Sequence, residues 1–429
     1  MVREIESLTD RYYRMSLVEL GEEVGFIPRS HSRVAIDSNR GFRTSLTHLI
    51  RNKQLPERGL NDAEVKLILA ELAMSDSNNF SGKIGVGERE GRVYSRLVSD
   101  RHFELTHGIG RSGNIRDPQP KAAGSSIIAQ LSDYLALDAV RVAGVKVMKT
   151  ALVLPMATGM ALRECFITLR NQRPTAQHII WSRIDQKSCL KSMISIGLTV
   201  HVIEPILQNN TLKTNIDEIR SKIDELGASN ILAIHSTISC FAPRQPDAIG
   251  SISEICHQTD IPHVVNGAYC LQIEKAINLI NSSVSKRHRL DCVVFSTDKN
   301  FMTPVGGSVI ITPTKGAMSI AKQVATNYPG RASMSPVLDV FITLLQMGRL
   351  GYRELLQQQK INFTFLLDEL TTFALRHQTQ ILTHNGISIA LSLENYKSKS
   401  DKDLIEIGSM LFTRNISGVT LHSLQYYRQ

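Results

Sequence analysis

The sequence predicts an α/β fold in which helices cover both faces of a mostly parallel β-sheet. Seven short apolar runs have the composition of buried strands. They are ALVLP (151–155), HIIW (178–181), TVHVI (199–203), NILAIH (230–235), PHVV (262–265), CVVF (292–295) and SVIIT (308–312). Helical patterns separate most of these runs, and such alternation favours a parallel sheet between helices. Ligands of these sheets bind beyond the carboxyl ends of the strands, so we expect a functional site there.

Length and charge divide the 429 residues into three parts. We expect a basic N-terminal extension at 1–60, a sheet domain at 61–348 and a small C-terminal α+β domain at 349–429. The extension is basic because seven Lys and Arg residues between 29 and 58 accompany only two acidic residues. The whole chain has 49 Lys and Arg against 40 Asp and Glu, an excess that is compatible with a polyanionic partner without requiring one.

The six cysteines indicate a reducing compartment. They are scattered along the chain, with no CxxC pair and no histidine spacing suited to zinc, so no metal site is predicted. The first thirty residues lack the apolar core of a signal peptide. No apolar stretch reaches the roughly eighteen residues that a membrane span needs. We therefore expect a cytoplasmic protein without a membrane span.

Capping signals and periodicity predict the helices that precede the sheet. One helix is expected near 40–53. Asn61 and Glu64 have the spacing of a capping box, which predicts a helix start after Asn61. The segment 81–120 is rich in glycine and arginine and too poor in apolar residues for a core, so it is predicted to be a loop or lid. An amphipathic helix is expected at 125–145.

The region after the last strand of the sheet predicts the small domain. A helical stretch is expected at 336–348, followed by one long helix or two at 350–378. A strand at 388–393, a helix at 403–412 and a strand at 418–424 complete the predicted α+β unit.

Lys299 is the first candidate for chemistry. It follows the buried run LDCVVFS (290–296) and precedes a double glycine in the segment STDKNFMTPVGG (296–307). A lysine that leaves such a strand usually turns outward and stays solvated. It can instead be held in a partly dry pocket and serve as a nucleophile.

Other strand ends carry polar residues that favour the second interpretation of Lys299, as a nucleophile. PMATGM (155–160) joins a strand to a helix, where backbone N–H groups and the helix dipole can bind an anion. Asn266 in VVNGAY follows another strand, and Arg331 lies in the turn YPGRAS. Each feature alone is typical of an ordinary turn. Together they are the arrangement that holds an aromatic aldehyde cofactor by its phosphate, its ring nitrogen and a Schiff base.

The glycine-rich loops add a second set of polar side chains. They are Glu88, Arg89, Arg111, Ser112, Gln119 and Lys121. Arginines in ordered glycine loops suit phosphate recognition because the guanidinium is a rigid fork of donors, although a mobile basic loop has the same composition. The run HSTISCF (235–241) does not indicate a serine hydrolase, because the chain has no GxSxG motif.

These segments are similar to motifs of a known family. The segments are GVGEREGRV, HGIGRSG, QPKAAGSS, PMATGM, IDQKSC, HSTISCFAPR, DKNFMTPVGG, YPGRAS and GSMLFTR. They resemble those of the O-phosphoseryl-tRNA:selenocysteinyl-tRNA synthases, the O-phosphoseryl-tRNA(Sec) selenium transferases of archaea and eukaryotes. This family consists of fold-type-I pyridoxal-phosphate enzymes. The resemblance extends from about residue 61 to 418, whereas residues 1–60 match loosely.

The resemblance implies pyridoxal 5'-phosphate as the cofactor, bound by a catalytic domain at 61–348. The implied cofactor residues are Lys299 as the internal aldimine, Ala157, Thr158 and Gly159 at the cofactor phosphate, Arg89 at the cofactor and Asn266 at the pyridine nitrogen. Most relatives of this fold type have an aspartate where Asn266 stands, so the ring is expected to be a weaker electron sink.

The resemblance also implies substrate contacts. The phosphate of the substrate would be bound by Arg111, Ser112, Gln119 and Arg331. Glu88 would act as a filter, because a carboxylate disfavours a free α-carboxylate but tolerates the neutral ester of an aminoacyl-tRNA. Lys286 and Arg414 would contact tRNA.

The implied reaction starts with β-elimination of phosphate from O-phosphoseryl-tRNA(Sec). Selenophosphate then supplies selenium, and the product is selenocysteinyl-tRNA(Sec). The family is tetrameric, so the resemblance implies a homotetramer in which some loops act in a neighbouring site.

Two other functions remain open at this point. One is a pyridoxal-phosphate enzyme for a small substrate, such as a cysteine desulfurase, against which Glu88 and the phosphate-binding set argue. The other is a catalytically impaired tRNA-binding paralogue or isoform. It is motivated by the C-terminus, because family members continue beyond the equivalent of residue 418 whereas LHSLQYYRQ (421–429) has no match. The small domain at 349–429 is therefore expected to be incomplete.

Overall fold

The computed structural model describes residues 16–111, 113–208, 211–242, 244–395 and 401–419. The helices are α1 (Leu17–Glu23), α2 (Arg29–Asn52), α3 (Asp62–Met74), α4 (Arg96–Arg101), α5 (Ala123–Val142), α6 (Thr158–Gln172), α7 (Lys187–Ile194), α8 (Ile216–Leu226), α9 (Ile249–Thr259), α10 (Glu274–Ser285), α11 (Thr297–Phe301), α12 (Ile320–Asn327), α13 (Ser335–Arg376) and α14 (Asp401–Thr413). Among these helices, none is long and apolar enough to cross a bilayer.

The strands follow the predicted runs closely. They are β1 (Thr150–Leu154), β2 (His178–Ser182), β3 (Thr199–Ile203), β4 (Ile206–Gln208), β5 (Thr211–Lys213), β6 (Ile231–Thr237), β7 (His263–Asn266), β8 (Cys292–Ser296), β9 (Ser308–Thr312), β10 (Ile381–His384) and β11 (Ile389–Leu391). Strands β6, β8 and β9 are buried at every residue, because layers on both faces exclude water from them. This explains why they are continuously apolar rather than alternating.

Seven strands form one sheet in the order β1-β9-β8-β7-β6-β2-β3. The strands from β3 to β8 pair in parallel, whereas β9 is antiparallel to both β8 and β1. The predicted mostly parallel sheet is therefore confirmed. Strand β1 again runs in the direction of β8, so Leu154 and Ser296 both pair with Ser308 at one edge of the sheet. The carboxyl ends of six strands thus meet at that edge.

The helix that carries Lys299 is fixed to the core by aromatic packing. Phe301 in α11 meets Phe295 of β8 edge-on at 5.7 Å between ring centroids, and it meets Tyr352 of α13 at the same distance. All three rings are buried. Edge-to-face pairs contribute about 1 kcal/mol each beyond the buried area. The packing joins the end of β8 to the long helix that leads into the C-terminal region.

Several elements differ from the sequence prediction in extent. The helix predicted at 40–53 begins at Arg29, and the capping box of Asn61 and Glu64 opens α3 as predicted. The predicted loop at 81–120 contains the short helix α4. The hairpin β4–β5 and strand β10 were not predicted, because β4 is exposed, β5 and β10 are at most partly buried, and none of them has a continuous apolar run.

The C-terminal region is built around α13, which runs from Ser335 to Arg376 with one non-helical residue, Gly348. The predicted division of the chain near this residue stays a prediction. Strand β11 was expected at 388–393 and pairs with β10. The strand expected at 418–424 falls outside the described residues from 420 onward.

Candidate active site

Lys299 lies in α11, at the carboxyl end of β8. Its Nζ is 2.9 Å from Asp298 Oδ2 and 3.4 Å from Ser296 Oγ. The ammonium also lies over the ring of Tyr269, 5.5 Å from the centroid. Its side chain is about a third exposed. The backbone carbonyl of Lys299 accepts a hydrogen bond from the side chain of Gln272.

The start of α6 lies beside Lys299. The hydroxyl of Ser296, which accepts from Lys299 Nζ, is hydrogen-bonded to Thr158 Oγ1. Among the described residues, the N–H groups of Thr158 and Gly159 have no acceptor, as expected for the first turn of a helix. Free N–H groups and the positive end of a fifteen-residue helix together suit an anion, in particular a phosphate.

Asn266 ends β7 and is buried, with 5% of its surface exposed. Its Oδ1 accepts from the backbone N–H of Ala268 at 3.1 Å, and its Nδ2 donates to Cys189 Sγ at 3.3 Å. Thr237 is its register partner on β6, and the hydroxyl of Thr237 is buried without a hydrogen-bond partner. An orphaned hydroxyl beside a buried amide marks a place where a polar ligand can supply the missing partner.

The sheet edge therefore combines an amine, an anion-binding helix start, an amide and an unpaired hydroxyl. Three separate segments of the chain bring Thr158, Asn266 and Lys299 together, as the sequence predicted for successive strand ends. A planar ligand with an aldehyde, a ring nitrogen and a phosphate fits this donor set, because each of its functional groups has a matching residue.

Arg331 forms the centre of a second cluster. Its Nε donates to the carbonyl of Gly110 at 3.1 Å, and its Nη2 donates both to Nδ1 of His107, at 2.9 Å, and to the carbonyl of His107. Its Nη1 lies 2.6 Å from Glu90 Oε1. The neighbouring Ala332 pairs with Ile109 as an isolated bridge, which holds the turn of Arg331 against the glycine-rich loop.

Gly108 is required for that close approach. Its φ is +76°, and a Cβ on it would lie 2.8 Å from the carbonyl oxygen of Ala332. Only glycine tolerates this combination of backbone conformation and contact. Gly108, the first glycine of HGIGRSG, thus allows the turn of Arg331 to pack against the loop.

Glu88 lies in the same cluster, surrounded by positive groups. Its carboxylate is 2.8 Å from Lys83 Nζ, 3.1 Å from Lys121 Nζ and 3.5 Å from Nε2 of His107. Hydrogen bonds from Lys83, then from Lys121, lower the pKa of Glu88 to about 2 against the opposing effect of burial. Glu88 is therefore a carboxylate at every physiological pH.

Glu88, Glu90 and His107 together have ligand atoms within 4.8 Å of one another. The chain's own cations already neutralise them, since Lys83 binds Glu88 and Arg331 binds Glu90. Arg331 also donates to Nδ1 of His107, which places the ring proton on Nε2, the nitrogen that faces Glu88. The cluster therefore gives no support for a metal ion, and the absence of a metal site stays a prediction.

The remaining predicted phosphate residues lie on the same loops. Arg111 is exposed, and its backbone bridges to Asn114. Gln119 is half-buried, with its N–H held by Ser126 Oγ at 2.9 Å. Ser112 lies outside the described residues. Arg89 is exposed, with no partner for its side chain among the described residues.

The two clusters are separate within one chain. Among the described residues, no hydrogen bond or ion pair links the Lys299 group to the Arg331 group. Arg89 and Arg111 present guanidinium groups that are free for a ligand or a second copy of the chain.

Lys286 and Arg414 lie apart from both clusters. Lys286 is the exposed cap residue at the end of α10. Arg414 follows α14 and is exposed, with its Nη1 donating to the carbonyl of Met410 at 3.0 Å. Both are accessible cations, which is what a contact with a nucleic-acid backbone requires.

Several residues of the site received no role in the sequence prediction, and four of them illustrate the reason. They are Glu90, His107, Cys189 and Tyr269. Each lies in or beside a motif segment, in GVGEREGRV, HGIGRSG, IDQKSC and VVNGAY. Motif membership was the available signal. It does not reveal their partners, which lie far away in the chain; Arg331, for example, is 224 positions after His107.

Comparison with known proteins gives a consistent result. The family model described as O-phosphoseryl-tRNA(Sec) selenium transferase matches residues 75–426. The O-phosphoseryl-tRNA(Sec) selenium transferase of Dictyostelium discoideum is 44% identical over 422 residues, which cover 94% of this chain and 87% of that protein.

Solved structures agree with the sequence matches. A crystal structure of an archaeal O-phosphoseryl-tRNA(Sec) selenium transferase superimposes with a TM-score of 0.82 at 30% identity, covering 91% of this chain and 87% of that one. A sphingosine-1-phosphate lyase from Burkholderia pseudomallei matches with a TM-score of 0.55 at 14% identity, covering 93% and 84%, and shows the fold alone. The predicted fold-type-I α/β class is confirmed.

Proposed function

This chain belongs to the O-phosphoseryl-tRNA(Sec) selenium transferase family, and from that premise we propose how its own residues carry out the reaction. It is an enzyme that converts O-phosphoseryl-tRNA(Sec) to selenocysteinyl-tRNA(Sec). No feature of the described residues favours the catalytically impaired alternative. The observation that carries the residue assignment is the meeting of Lys299, Thr158 and Asn266 at one edge of the sheet.

We propose pyridoxal 5'-phosphate as the cofactor at this edge. Lys299 is its covalent attachment point, and Ala157, Thr158 and Gly159 bind its phosphate with the free N–H groups of α6. Asn266 would hold the ring nitrogen, and Arg89 of the glycine-rich loop would also contact the cofactor. When bound, the cofactor supplies an electron sink for the pair of electrons left at the substrate α-carbon.

The side chains around Lys299 hold and move the proton. Asp298 and Ser296 lie within 3.4 Å of Nζ, so they orient the amine at the end of β8. Lys299 Nζ is the base that takes the proton from the substrate α-carbon once a substrate amine has replaced it. The buried ring of Phe301 anchors this short helix and so fixes the position of Lys299 at the end of β8.

The loop cluster binds the phosphate that leaves the substrate. Arg331, Arg111, Ser112 and Gln119 supply cationic and neutral donors, which stabilise the negative charge that develops as the carbon–oxygen bond breaks. Glu88 is the substrate filter. Because its pKa is about 2, it remains negative and disfavours a free α-carboxylate but not an ester.

The partners follow from the same premise. We propose that Lys286, Arg414 and the basic segment at 1–60 bind tRNA, and that selenophosphate donates selenium. A homotetramer would place Arg89 and Arg111 of one copy beside the Lys299 site of another, which accounts for the separation of the two clusters within a chain. We also propose the three-part division of the chain at residues 60 and 348. A cytoplasmic location is proposed as well, and the six free thiols are compatible with such a reducing compartment.

Chemical trapping and turnover test the proposal. The purified protein is incubated with pyridoxal phosphate, reduced with borohydride and mapped by peptide mass. The cofactor mass is expected on the Lys299 peptide, and wild type should form selenocysteinyl-tRNA from phosphoseryl-tRNA(Sec) and selenophosphate. K299A should lose both signals. K149A, which alters an exposed lysine at the opposite end of β1, should retain both. A cofactor trapped elsewhere would overturn the assignment.

A further inference from the structure

The donors of Arg331 are almost completely occupied by the chain itself. A guanidinium has five N–H groups. Three are taken by the carbonyl of Gly110, the carbonyl of His107 and Nδ1 of His107. The two on Nη1 remain, and Glu90 Oε1 lies 2.6 Å from that nitrogen. An anion that binds Arg331 therefore has to bind at Nη1, where a carboxylate already sits.

His107 holds two of those three donors, both on Nη2. Arginine only donates, so Nδ1 of His107 must be the acceptor and its proton lies on Nε2. Nε2 faces Glu88 Oε1 at 3.5 Å. The imidazole is buried, with 3% of the residue exposed. The arginine is thus held rigidly by a buried ring and two backbone carbonyls, and it cannot turn a different nitrogen toward a ligand without breaking these bonds.

Glu90 is placed differently from the groups that hold Arg331. About half of its side chain is exposed, and among the described residues its carboxylate pairs only with Arg331. It extends from the glycine-rich loop at 81–91, in which Gly87 and Gly91 have positive φ. Glu90 is therefore the one member of this contact that can leave without disturbing the core.

We propose that Glu90 is an internal occupant of the phosphate site at Arg331 and determines which substrates enter it. This inference rests on the proposed role of Arg331 in binding the substrate phosphate. A phosphate with nearly two negative charges displaces the single charge of Glu90, because the guanidinium binds the more highly charged anion more strongly. A neutral hydroxyl cannot displace it. The contact thus selects phosphoseryl-tRNA over seryl-tRNA, and the returning carboxylate helps to expel the phosphate product.

The test measures binding of inorganic phosphate to the cofactor-loaded protein by titration calorimetry. E90Q should bind phosphate about fivefold more tightly, the factor that corresponds to about 1 kcal/mol for a partly exposed ion pair. E90D retains the charge, but its side chain is one methylene shorter and its carboxylate reaches Arg331 less well. E90D should therefore also bind phosphate more tightly than wild type. The matched control is E104Q, since the Glu104 side chain is also 48% exposed but pairs with Arg96 rather than Arg331. It should stay within twofold of wild type.

The variants separate this inference from the function on which it rests. R331A should lose phosphate binding, and if it binds phosphate as wild type does, the proposed phosphate role of Arg331 is wrong. If R331A loses binding but E90Q binds no more tightly than E104Q, the role of Glu90 alone is wrong. In turnover assays, E90Q should lower the KM for phosphoseryl-tRNA(Sec) and strengthen product inhibition by phosphate. Unchanged values for both would also overturn the inference.

Discussion

The side-chain nitrogen of Asn266 lies 3.3 Å from the sulfur of Cys189, a residue 77 positions earlier in the chain. The other end of the amide accepts from the backbone N–H of Ala268, which can only donate, so the orientation of the amide is fixed. Burial raises the pKa of the Cys189 thiol to about 12, and the thiol therefore stays protonated. Cys189 acts on the site by holding Asn266 rather than as a nucleophile.

Replacing Cys189 should therefore weaken cofactor binding. C189A removes the acceptor of the Asn266 amide, and we expect the Kd for pyridoxal phosphate to rise about fivefold, the equivalent of one hydrogen bond of about 1 kcal/mol. C189S keeps an acceptor of similar size and should stay within twofold of wild type. Absorbance titration of the apo protein measures this, with circular dichroism to verify folding. Equal affinity of C189A and wild type would contradict the positioning role.

The sequence predicted the parts of the site that depend on local pattern. Strand ends are visible in continuous apolar runs, and Lys299, Asn266 and the turn at 155–160 follow such runs. Strand direction is not local, so the antiparallel course of β9 could not be read from SVIIT. The contacts of Cys189 with Asn266 and of His107 with Arg331 join distant segments, and only the folded chain reveals them.

The pH dependence of stability should report on Glu88. Its pKa is about 2 in the folded protein, below the ordinary value of 4.5, so folding favours the charged form. The resulting stabilisation is present above about pH 4.5 and is lost as the pH falls toward 2. The difference in free energy of unfolding between wild type and E88Q should therefore shrink between pH 5 and pH 3. Urea denaturation at a series of pH values measures it.

A second variant checks the cause of that shift. Lys83 contributes the largest part of the lowered pKa of Glu88. K83M should therefore also reduce the loss of stability on acidification, although Glu88 is still present. A difference between wild type and E88Q that stays constant from pH 7 to pH 3 would show that Glu88 titrates normally.

Gly348 interrupts α13 and makes a junction with the N-terminal region. Its φ of 58° and ψ of −173° belong to a region of conformational space that is essentially restricted to glycine. The interruption frees the N–H groups of Arg349 and Leu350, which donate to the carbonyls of Pro56 and Glu57 at 2.9 and 3.0 Å. Segment 56–60 is thereby joined to the long helix.

The side chain of Arg349 strengthens the same junction. It forms a two-pronged ion pair with Asp138 of α5, with N···O distances of 2.8 and 3.2 Å. Asp138 Oδ2 also accepts from the backbone N–H of Leu55 at 3.0 Å. The break at Gly348 therefore aligns two backbone hydrogen bonds with residues that precede α3 and one ion pair with α5.

Substituting Gly348 should destabilise the protein strongly. A Cβ at this position would lie 2.6 Å from the nitrogen of Gly59 and 2.9 Å from the carbonyl oxygen of Pro56, and both contacts are with backbone. Strain and steric overlap together should make G348A less stable by about 3 kcal/mol or more. Thermal and urea denaturation of the purified variants measure the loss.

Gly351 supplies the matched control for that change, because it lies three residues later in the same helix. A Cβ there would meet only the Cβ of Met347, at an ordinary 3.9 Å. G351A should therefore be neutral or more stable by about 0.5–1 kcal/mol, as alanine is preferred over glycine inside a helix. If G348A and G351A had the same stability, the interruption would not be a constraint on the fold. Destabilisation by G348A alone would show that the junction requires glycine at this position.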